Sequence, residues 1–181
     1  MPSKSFSCQG IVLKRRNWGE ADRMVTVYTD ALGKVTAVAK GARRLNSSKR
    51  SLLEPGTQAR FQFVTTKGFT LLTQCQLICS RPYLSTNLQT LVKAHQVLEI
   101  IDSLTVEHEE NEYVFTHLSQ MLDQLAQAQV GKSVMLEQFR LLLQFLGFTH
   151  DKQFSETSLK EYIEELASHT LRSKAYLTIH Q

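Results

Sequence analysis

The stretch "RMVTVYTDALGKVTAVAK", residues 23–40, decides the fold of the first half of this chain. It holds two short runs rich in β-branched residues, whose side chains alternate between two faces as those of a β-strand do. Between the runs lies Asp30-Ala-Leu-Gly33, where Gly33 can take the positive φ that a tight turn requires. The stretch therefore predicts two strands joined by a tight connection.

The flanking segments extend this pattern. "FSCQGIVLKRR", residues 6–16, reads as a strand in which Gly10 interrupts the alternation, as a bulge or bend would. "ARFQFVTTKGFTLLTQCQLICS", residues 59–80, predicts a hairpin with Lys67-Gly68 at its tip, and Pro55-Gly56 predicts a turn before it. About five strands in roughly 80 residues favour a small closed barrel, OB-like or SH3-like, over an open sheet with exposed edges.

From residue 82 the apolar period changes from 2 to 3.6, which predicts helices. The four predicted apolar stripes are Leu88, Leu91, Val92, His95, Leu98 and Ile101; Val114, Phe115, Leu118, Met121, Leu122 and Leu125; Met135, Leu136, Phe139, Leu142, Leu143 and Leu146, ended by Gly147; and Leu159, Tyr162, Ile163 and Leu166, opened by a capping box of Ser158 and Glu161. His95 is expected to be a satisfied core or interface histidine. The predicted fold class is α+β, with a barrel domain at residues 1–81 and a helical bundle at residues 82–181.

Charge is distributed unevenly between these two parts. Residues 1–81 hold 14 Lys and Arg against four acidic residues, a net of +10, whereas residues 82–181 hold seven against 13, a net of −6. A basic first domain indicates an anionic partner. No apolar run is long enough to span a membrane, the N-terminus lacks a signal-peptide core, and the three cysteines lack zinc-site spacing. These features favour the cytoplasm and no membrane partner.

Catalytic patterns are weak in this sequence. Glu20 and Asp22 lie beside Arg23 without a nearby His, Ser or Cys, so we expect a structural ion pair with Arg23 rather than acid–base chemistry. The six histidines are scattered, and no glycine-rich phosphate loop occurs. We therefore predict no enzyme, no metal and no cofactor.

Basic clusters instead indicate nucleic-acid binding. Lys14, Arg15 and Arg16 end the first strand, Lys40, Arg43 and Arg44 follow the third, and Lys49 and Arg50 come next. Strand ends converge on the rim of a barrel, so these cations are expected to form one patch that neutralises phosphates, the alternative being a solvated turn. Among the aromatic residues, Trp18 and Phe69 are expected to be exposed for base stacking, and Tyr28, Phe61 and Phe63 to lie in the core. Binding should be largely independent of base sequence.

The segment "GIVLKRRNWGEADRMVTVYTDALGKVTAVAKGARRLNSSKRSLLEP", residues 10–55, resembles the opening of the RecO family of bacterial recombination mediators. The resemblance implies an N-terminal OB-fold, a helical C-terminal domain, binding of single- and double-stranded DNA, and annealing of complementary strands. It also implies partners: single-stranded-DNA-binding protein (SSB), RecR and, indirectly, RecA. The implied DNA-binding residues of this chain are Lys14, Arg15, Arg16, Lys34, Lys40, Arg43 and Arg44, to which the basic-rim interpretation adds Lys49, Arg50 and Trp18.

In this family the acidic C-terminal tail of SSB would dock on the helical domain near a basic residue, for which Arg140 and Lys132 are candidates. Many members insert a four-cysteine zinc module after the third helix, but "GFTHDKQFSETS", residues 147–158, contains no cysteine. Two other functions stay open: a protein–protein adaptor whose helical groove binds a partner peptide, and an RNA-binding OB module.

Overall fold

A computed structural model describes residues 4–82, 84, 87–127, 132–148, 161–163 and 165–166. The strands are β1 Lys4–Trp18, β2 Asp22–Thr29, β3 Gly33–Ala39, β4 Gln58–Thr65 and β5 Thr70–Cys79, and the helices are α1 Leu88–Leu104, α2 Glu112–Ala126 and α3 Lys132–Phe145. Residues 161–163 and 165–166 are also helical. A barrel followed by helices confirms the predicted α+β class.

The five strands close into a barrel in the order β1-β2-β3-β5-β4. β1 is long enough to pair with two neighbours, with β4 over Lys4–Ile11 and with β2 over Gly10–Trp18. A short parallel pairing between β3 and β5 completes the closure. The barrel core consists of Cys8, Val12, Val25, Val27, Val35, Ala37, Ala39, Ala42, Leu53, Ala59, Phe61, Phe63 and Leu72.

The irregularity of β1 is not at Gly10, where the sequence suggested it. The register shifts between Val12 and Lys14, so Leu13 is the extra residue of the bulge. Gly10 has another role, because a Cβ there would collide with Cγ1 of Val27. Gly10 thus permits the close approach of β2 where β1 changes partner.

The predicted turns at Gly33 and Gly68 are confirmed. Gly33 has a φ of 61°, and the hydroxyl of Thr29 donates to the carbonyl of Gly33 at 2.9 Å, which holds the β2–β3 connection. Gly68, at the tip of the β4–β5 hairpin, has a φ of 115°. These are backbone conformations that residues with a Cβ rarely adopt.

The apolar stripes of α2 and α3 lie inward as predicted, with Leu136 and Leu146 partly buried. α3 ends where expected, because the N–H groups of Gly147 and Phe148 donate to the carbonyls of Gln144 and Leu143, the pattern of a Schellman cap. In the fourth stripe Ile163 is buried, whereas Ser158 and Leu159 lie outside the described residues.

A core position for His95 was wrong, since this side chain is exposed, and its place at an interface stays a prediction. The buried face of α1 consists of Ala94, Gln96, Val97, Leu98, Ile100 and Ile101. This face is broad because α1 packs against β1 of the barrel as well as against α2. The helix is therefore rotated away from the orientation that an isolated apolar stripe predicted.

The helices pack on the outer face of the barrel, and their core includes Ile11, Leu13 and Tyr28 of β1 and β2. β5 ends at Cys79 and α1 begins at Leu88, so residue 81 lies between the barrel and the helices. Because the barrel and the helices share core residues, the division into two domains at residue 81 stays a prediction. Among the described residues, no helix is both long and apolar enough to cross a membrane.

Candidate nucleic-acid interface

The end of the β1–β2 hairpin carries an exposed cation and an exposed aromatic ring in contact. Arg16 and Met24 are ladder partners, and Nη2 of Arg16 lies 2.8 Å from the Met24 sulfur. This fixes the guanidinium of Arg16 over the ring of Trp18, with Cζ 5.4 Å from the ring centroid. Trp18 remains 47% exposed. A guanidinium and an indole in this arrangement offer both a phosphate contact and a stacking surface.

Residues 40–50, which we name the basic segment, are held against this hairpin. The N–H of Gly41 donates to Oδ1 of Asp22 at 2.8 Å, and the N–H of Arg43 donates to the carbonyl of Ala21 at 2.9 Å. Nη1 of Arg43 also donates to the carbonyl of Gly19 at 3.0 Å. These three bonds bring the basic segment beside the hairpin end that carries Trp18, as the barrel topology predicted.

The basic segment is itself folded into successive turns. The N–H groups of Arg44, Ser47 and Arg50 each donate to the carbonyl three residues earlier. Ala42 at one end and Leu53 just beyond the other are buried in the barrel core. The segment therefore presents its cations from a backbone that is anchored at both ends. The side chains of Lys40, Arg43, Arg44 and Arg50 are exposed, and Lys49 donates from Nζ to the carbonyl of Leu72 at 3.3 Å.

Arg15 and Arg23 share a partner that the sequence did not indicate. Nε and Nη2 of Arg15 lie 3.0 and 2.7 Å from Oε2 of Glu54, and Nη1 of Arg23 lies 3.3 Å from Oε1 of the same carboxylate. The ion pair expected between Arg23 and Glu20 or Asp22 is therefore wrong, because Arg23 points to Glu54 while Asp22 accepts from Gly41. Adjacent side chains along a strand, such as those of Asp22 and Arg23, point to opposite faces. Glu54 instead reaches Arg23 from a loop that is distant in sequence.

Lys14 and Lys34 face a different environment. Both ammonium groups pair with the carboxylate of Asp102 in α1, at the junction of barrel and helices. Burial lowers the pKa of Lys34, and the nearby charge of Asp102 opposes that change. The structure thus directs Lys14 and Lys34 towards the helices. Among the other predicted residues, Arg16 and Trp18 lie at the end of the hairpin, and Arg43 donates to the carbonyl of Gly19 there. Arg15 pairs with Glu54, just beyond the basic segment, which itself contains Lys40, Arg44, Lys49 and Arg50.

The helical part presents its own exposed surface. Tyr113 is 73% exposed and its ring stacks on Phe145, with 5.9 Å between centroids, while His117 meets Phe145 edge-on. Arg140, a candidate for docking the SSB tail, forms an ion pair with Glu137 at 2.7 Å. The side chain of Lys132 lies outside what the structure describes. Among the described residues no group of three or more His, Cys, Asp or Glu side chains could hold a metal ion.

Comparison with known proteins places this surface in context. The family described as "Recombination protein O N terminal" matches residues 1–81. A protein of Pelotomaculum thermopropionicum named DNA repair protein RecO is 32% identical over 123 residues, which are 68% of this chain and 48% of that protein. Proteins of the same name are 31% identical in Alkaliphilus metalliredigens, over 77% of this chain and 57% of that protein, and 32% identical in Bacillus subtilis, over 65% and 46%. The chain spans about half the length of the curated relatives it matches.

Proposed function

This chain belongs to the RecO family through its N-terminal residues 1–81, and on that premise we propose that it is a DNA repair and recombination mediator. It binds single- and double-stranded DNA largely without regard to base sequence and anneals complementary strands. Together with RecR it helps to replace SSB by RecA. Its action is binding without covalent chemistry, so it is not an enzyme, and it works in the cytoplasm on the nucleoid.

One observation carries the proposal: the two bonds from Arg43, to the carbonyls of Ala21 and Gly19, which join the basic segment to the β1–β2 hairpin. The second bond brings the guanidinium of Arg43 to the backbone of Gly19, the residue after Trp18, whose ring lies under the guanidinium of Arg16. Cations release condensed counterions from a phosphate backbone, and an exposed indole stacks on unpaired bases. The cations and the indole together can bind a single strand, which offers both phosphates and unpaired bases. The cations alone can bind the phosphates of a duplex.

Annealing follows from the same electrostatics. Two complementary strands repel each other through their phosphates, and a positive surface that holds both lowers this repulsion. The surface contacts phosphates and ring faces rather than base edges, so both strands keep their base edges free for pairing. The barrel would therefore accelerate pairing without reading the sequence.

The decisive experiment measures annealing of complementary oligonucleotides, free and coated with SSB, in the presence of this protein. We expect faster annealing in both cases and steep inhibition by salt. Binding to DNA without any acceleration of annealing would contradict the mediator function and leave a passive DNA-binding domain.

A triple variant in the basic segment and a control variant in the helical part test which cations contact DNA. Replacing Lys40, Arg43 and Arg44 by Ala should weaken binding equally for all sequences and reduce the log–log salt slope on single strands by about 2, at about 0.7 for each phosphate that is no longer neutralised. Lys93→Ala with Arg140→Ala removes cations from the helical part and should leave that slope unchanged. An unchanged slope in the triple variant would exclude the basic segment from the interface.

The kind of ligand that the protein binds distinguishes the two alternative functions from the proposed one. An RNA-binding module would prefer an RNA oligonucleotide to a DNA oligonucleotide of the same sequence, whereas the mediator should not. A protein–protein adaptor would use the exposed pair of Tyr113 and Phe145 on the helical part, and would show no salt-dependent binding to oligonucleotides.

A further inference from the structure

We propose that Arg15 and Arg23 form a phosphate-binding subsite, which the carboxylate of Glu54 occupies in the free protein and a DNA phosphate takes over on binding. Glu54 is then a competitor built into the DNA-binding surface, and it sets the affinity. This inference rests on the proposed function, because the ligand of the subsite is the phosphodiester backbone.

The geometry defines a position for one anion between two guanidinium groups. Arg15 lies on β1 and Arg23 on β2, and both point to the two oxygens of Glu54, at 2.7 Å from Nη2 of Arg15 and 3.3 Å from Nη1 of Arg23. A phosphodiester carries the same single charge as a carboxylate and likewise presents two terminal oxygens. Guanidinium groups bind both kinds of anion with the same donor geometry.

The anion position is open to solvent and next to other cations. The side chain of Glu54 is 45% exposed and that of Arg15 is 33% exposed, while that of Arg23 forms the floor at 9%. Arg23 also donates from Nη1 to the backbone carbonyl of Arg50 at 3.1 Å, so the subsite adjoins the basic segment. A DNA backbone that follows the segment can therefore reach the position that the carboxylate fills.

The carboxylate is not needed to hold its own stretch of chain. Leu53 is fully buried in the barrel core. The N–H of Gly56 donates to the carbonyl of Val12 at 2.9 Å, and the N–H of Val12 donates to the carbonyl of Thr57 at 3.0 Å. Backbone and core contacts on both sides of Glu54 thus fix the loop, and its side chain can swing into solvent without moving them.

The pairing with Glu54 is also incomplete. Nε of Arg23 is buried without a hydrogen-bond acceptor among the residues that the structure describes. A buried donor without an acceptor carries a desolvation cost, and an ion pair that served stability alone would be expected to satisfy it. The ion pair of Arg23 with the carboxylate is also the longer of the two, at 3.3 Å against 2.7 Å for Arg15.

Binding of a labelled oligothymidylate of about 20 nucleotides, measured against salt concentration, tests this inference. Glu54→Gln keeps the shape of the side chain and removes its charge. We expect the variant to bind at least about fivefold more tightly at low salt, with a salt slope steeper by about 0.7 for one additional phosphate contact.

The matched control is Glu137→Gln. Glu137 pairs with Arg140 through the same two guanidinium nitrogens, Nε at 3.0 Å and Nη2 at 2.7 Å, but on α3. This variant changes the net charge equally and should stay within about twofold of wild type, because salt screens distant exposed charges. Equal gains in both variants would overturn the subsite and leave only an effect of net charge.

Arg15→Gln supplies the second measurement. Removing Arg15 should weaken binding more in the Glu54→Gln background than in wild type, since only there is Arg15 free of its competitor. If the two effects are additive, or if folded Glu54→Gln binds no more tightly than wild type, Glu54 is a structural clamp and the inference fails. Wild type that does not bind the oligonucleotide at low salt would instead refute the proposed function itself.

Discussion

Nε of Arg81, two residues beyond β5, lies 2.7 Å from Oδ1 of Asp123 in α2. The same guanidinium donates to the carbonyl of Gly56 at 3.1 Å and to the hydroxyl of Ser119 at 2.9 Å. One buried side chain therefore joins the loop before β4, the end of the barrel and the second helix. The stability of this joint between barrel and helices can be measured directly.

Replacing Arg81 by Met should lower the free energy of unfolding by about 3 kcal/mol or more. The arginine side chain is only 3% exposed, and its loss leaves buried acceptors without their donor. Urea unfolding followed by circular dichroism would measure the change. Asp123→Asn is the control: the Asp123 side chain is half exposed, so this variant should lose less than about 1 kcal/mol. Equal losses would mean that the ion pair, and not the buried hydrogen bonds, supports the joint.

Gly33→Ala should destabilise the protein much more than Gly19→Ala. The two glycines have nearly the same φ, 61° and 59°, so both variants carry the cost of a left-handed conformation, about 1–2 kcal/mol. At Gly33 alone, a Cβ would also collide with the carbonyl oxygen of Glu109, in the loop between α1 and α2. Gly19 has nothing within 4 Å of that position. Thermal melts of both variants would test the difference, and similar melting temperatures would contradict the tight contact between this loop and the β2–β3 turn.

Stability should fall in alkaline solution because of Cys8. Burial in the barrel core, helped by the charge of Asp30, raises the pKa of the Cys8 thiol from 9.0 to about 11. Between these values the folded protein keeps a proton that the unfolded chain has lost, so the free energy of unfolding decreases as pH rises, by up to about 2–3 kcal/mol. Burial likewise raises the pKa of Tyr28, to about 12. Urea unfolding at a series of pH values should show a shallower decline in Cys8→Ala, and an identical decline would refute the assignment.

Trp18 should report single-stranded DNA by its own fluorescence, since it is the one tryptophan of the chain. Stacking of an unpaired base on the exposed indole should quench its emission, whereas a duplex offers no free ring face. Trp18→Ala should weaken binding of single strands by about 1–3 kcal/mol and leave duplex binding nearly unchanged. Tyr113→Ala, at an exposed aromatic residue of α2, is the control and should change neither. Equal losses for single strand and duplex would argue against stacking.

Much of the candidate site could be predicted from the sequence, because its parts are local. The β1–β2 hairpin and the turn at Gly33 follow from strand alternation and turn chemistry, and the exposure of Trp18 and Phe69 was expected and is found. The apolar stripes of α2 and α3 follow from helical periodicity in the same way. What binds at the exposed cations stays a prediction until it is measured.

The charge partners could not be predicted, because each joins residues far apart in the chain. Glu54 is 39 residues from Arg15, Asp123 is 42 from Arg81, and Asp102 is 88 from Lys14. The wrong expectation for Arg23 came from taking the nearest carboxylates in sequence as its partners, and that for His95 from treating α1 as packed on one side only.

The sequence by itself therefore determined the strands, the turns, two helical faces and the concentration of positive charge in residues 1–81. Only the tertiary structure decided which of those charges stay exposed beside Trp18, which are neutralised by Asp102, and which are held by Glu54. The physical reason is the distance along the chain over which each kind of interaction acts. Backbone periodicity and turn geometry act over a few neighbouring residues, whereas an ion pair depends on where barrel closure and helix packing bring two distant side chains together.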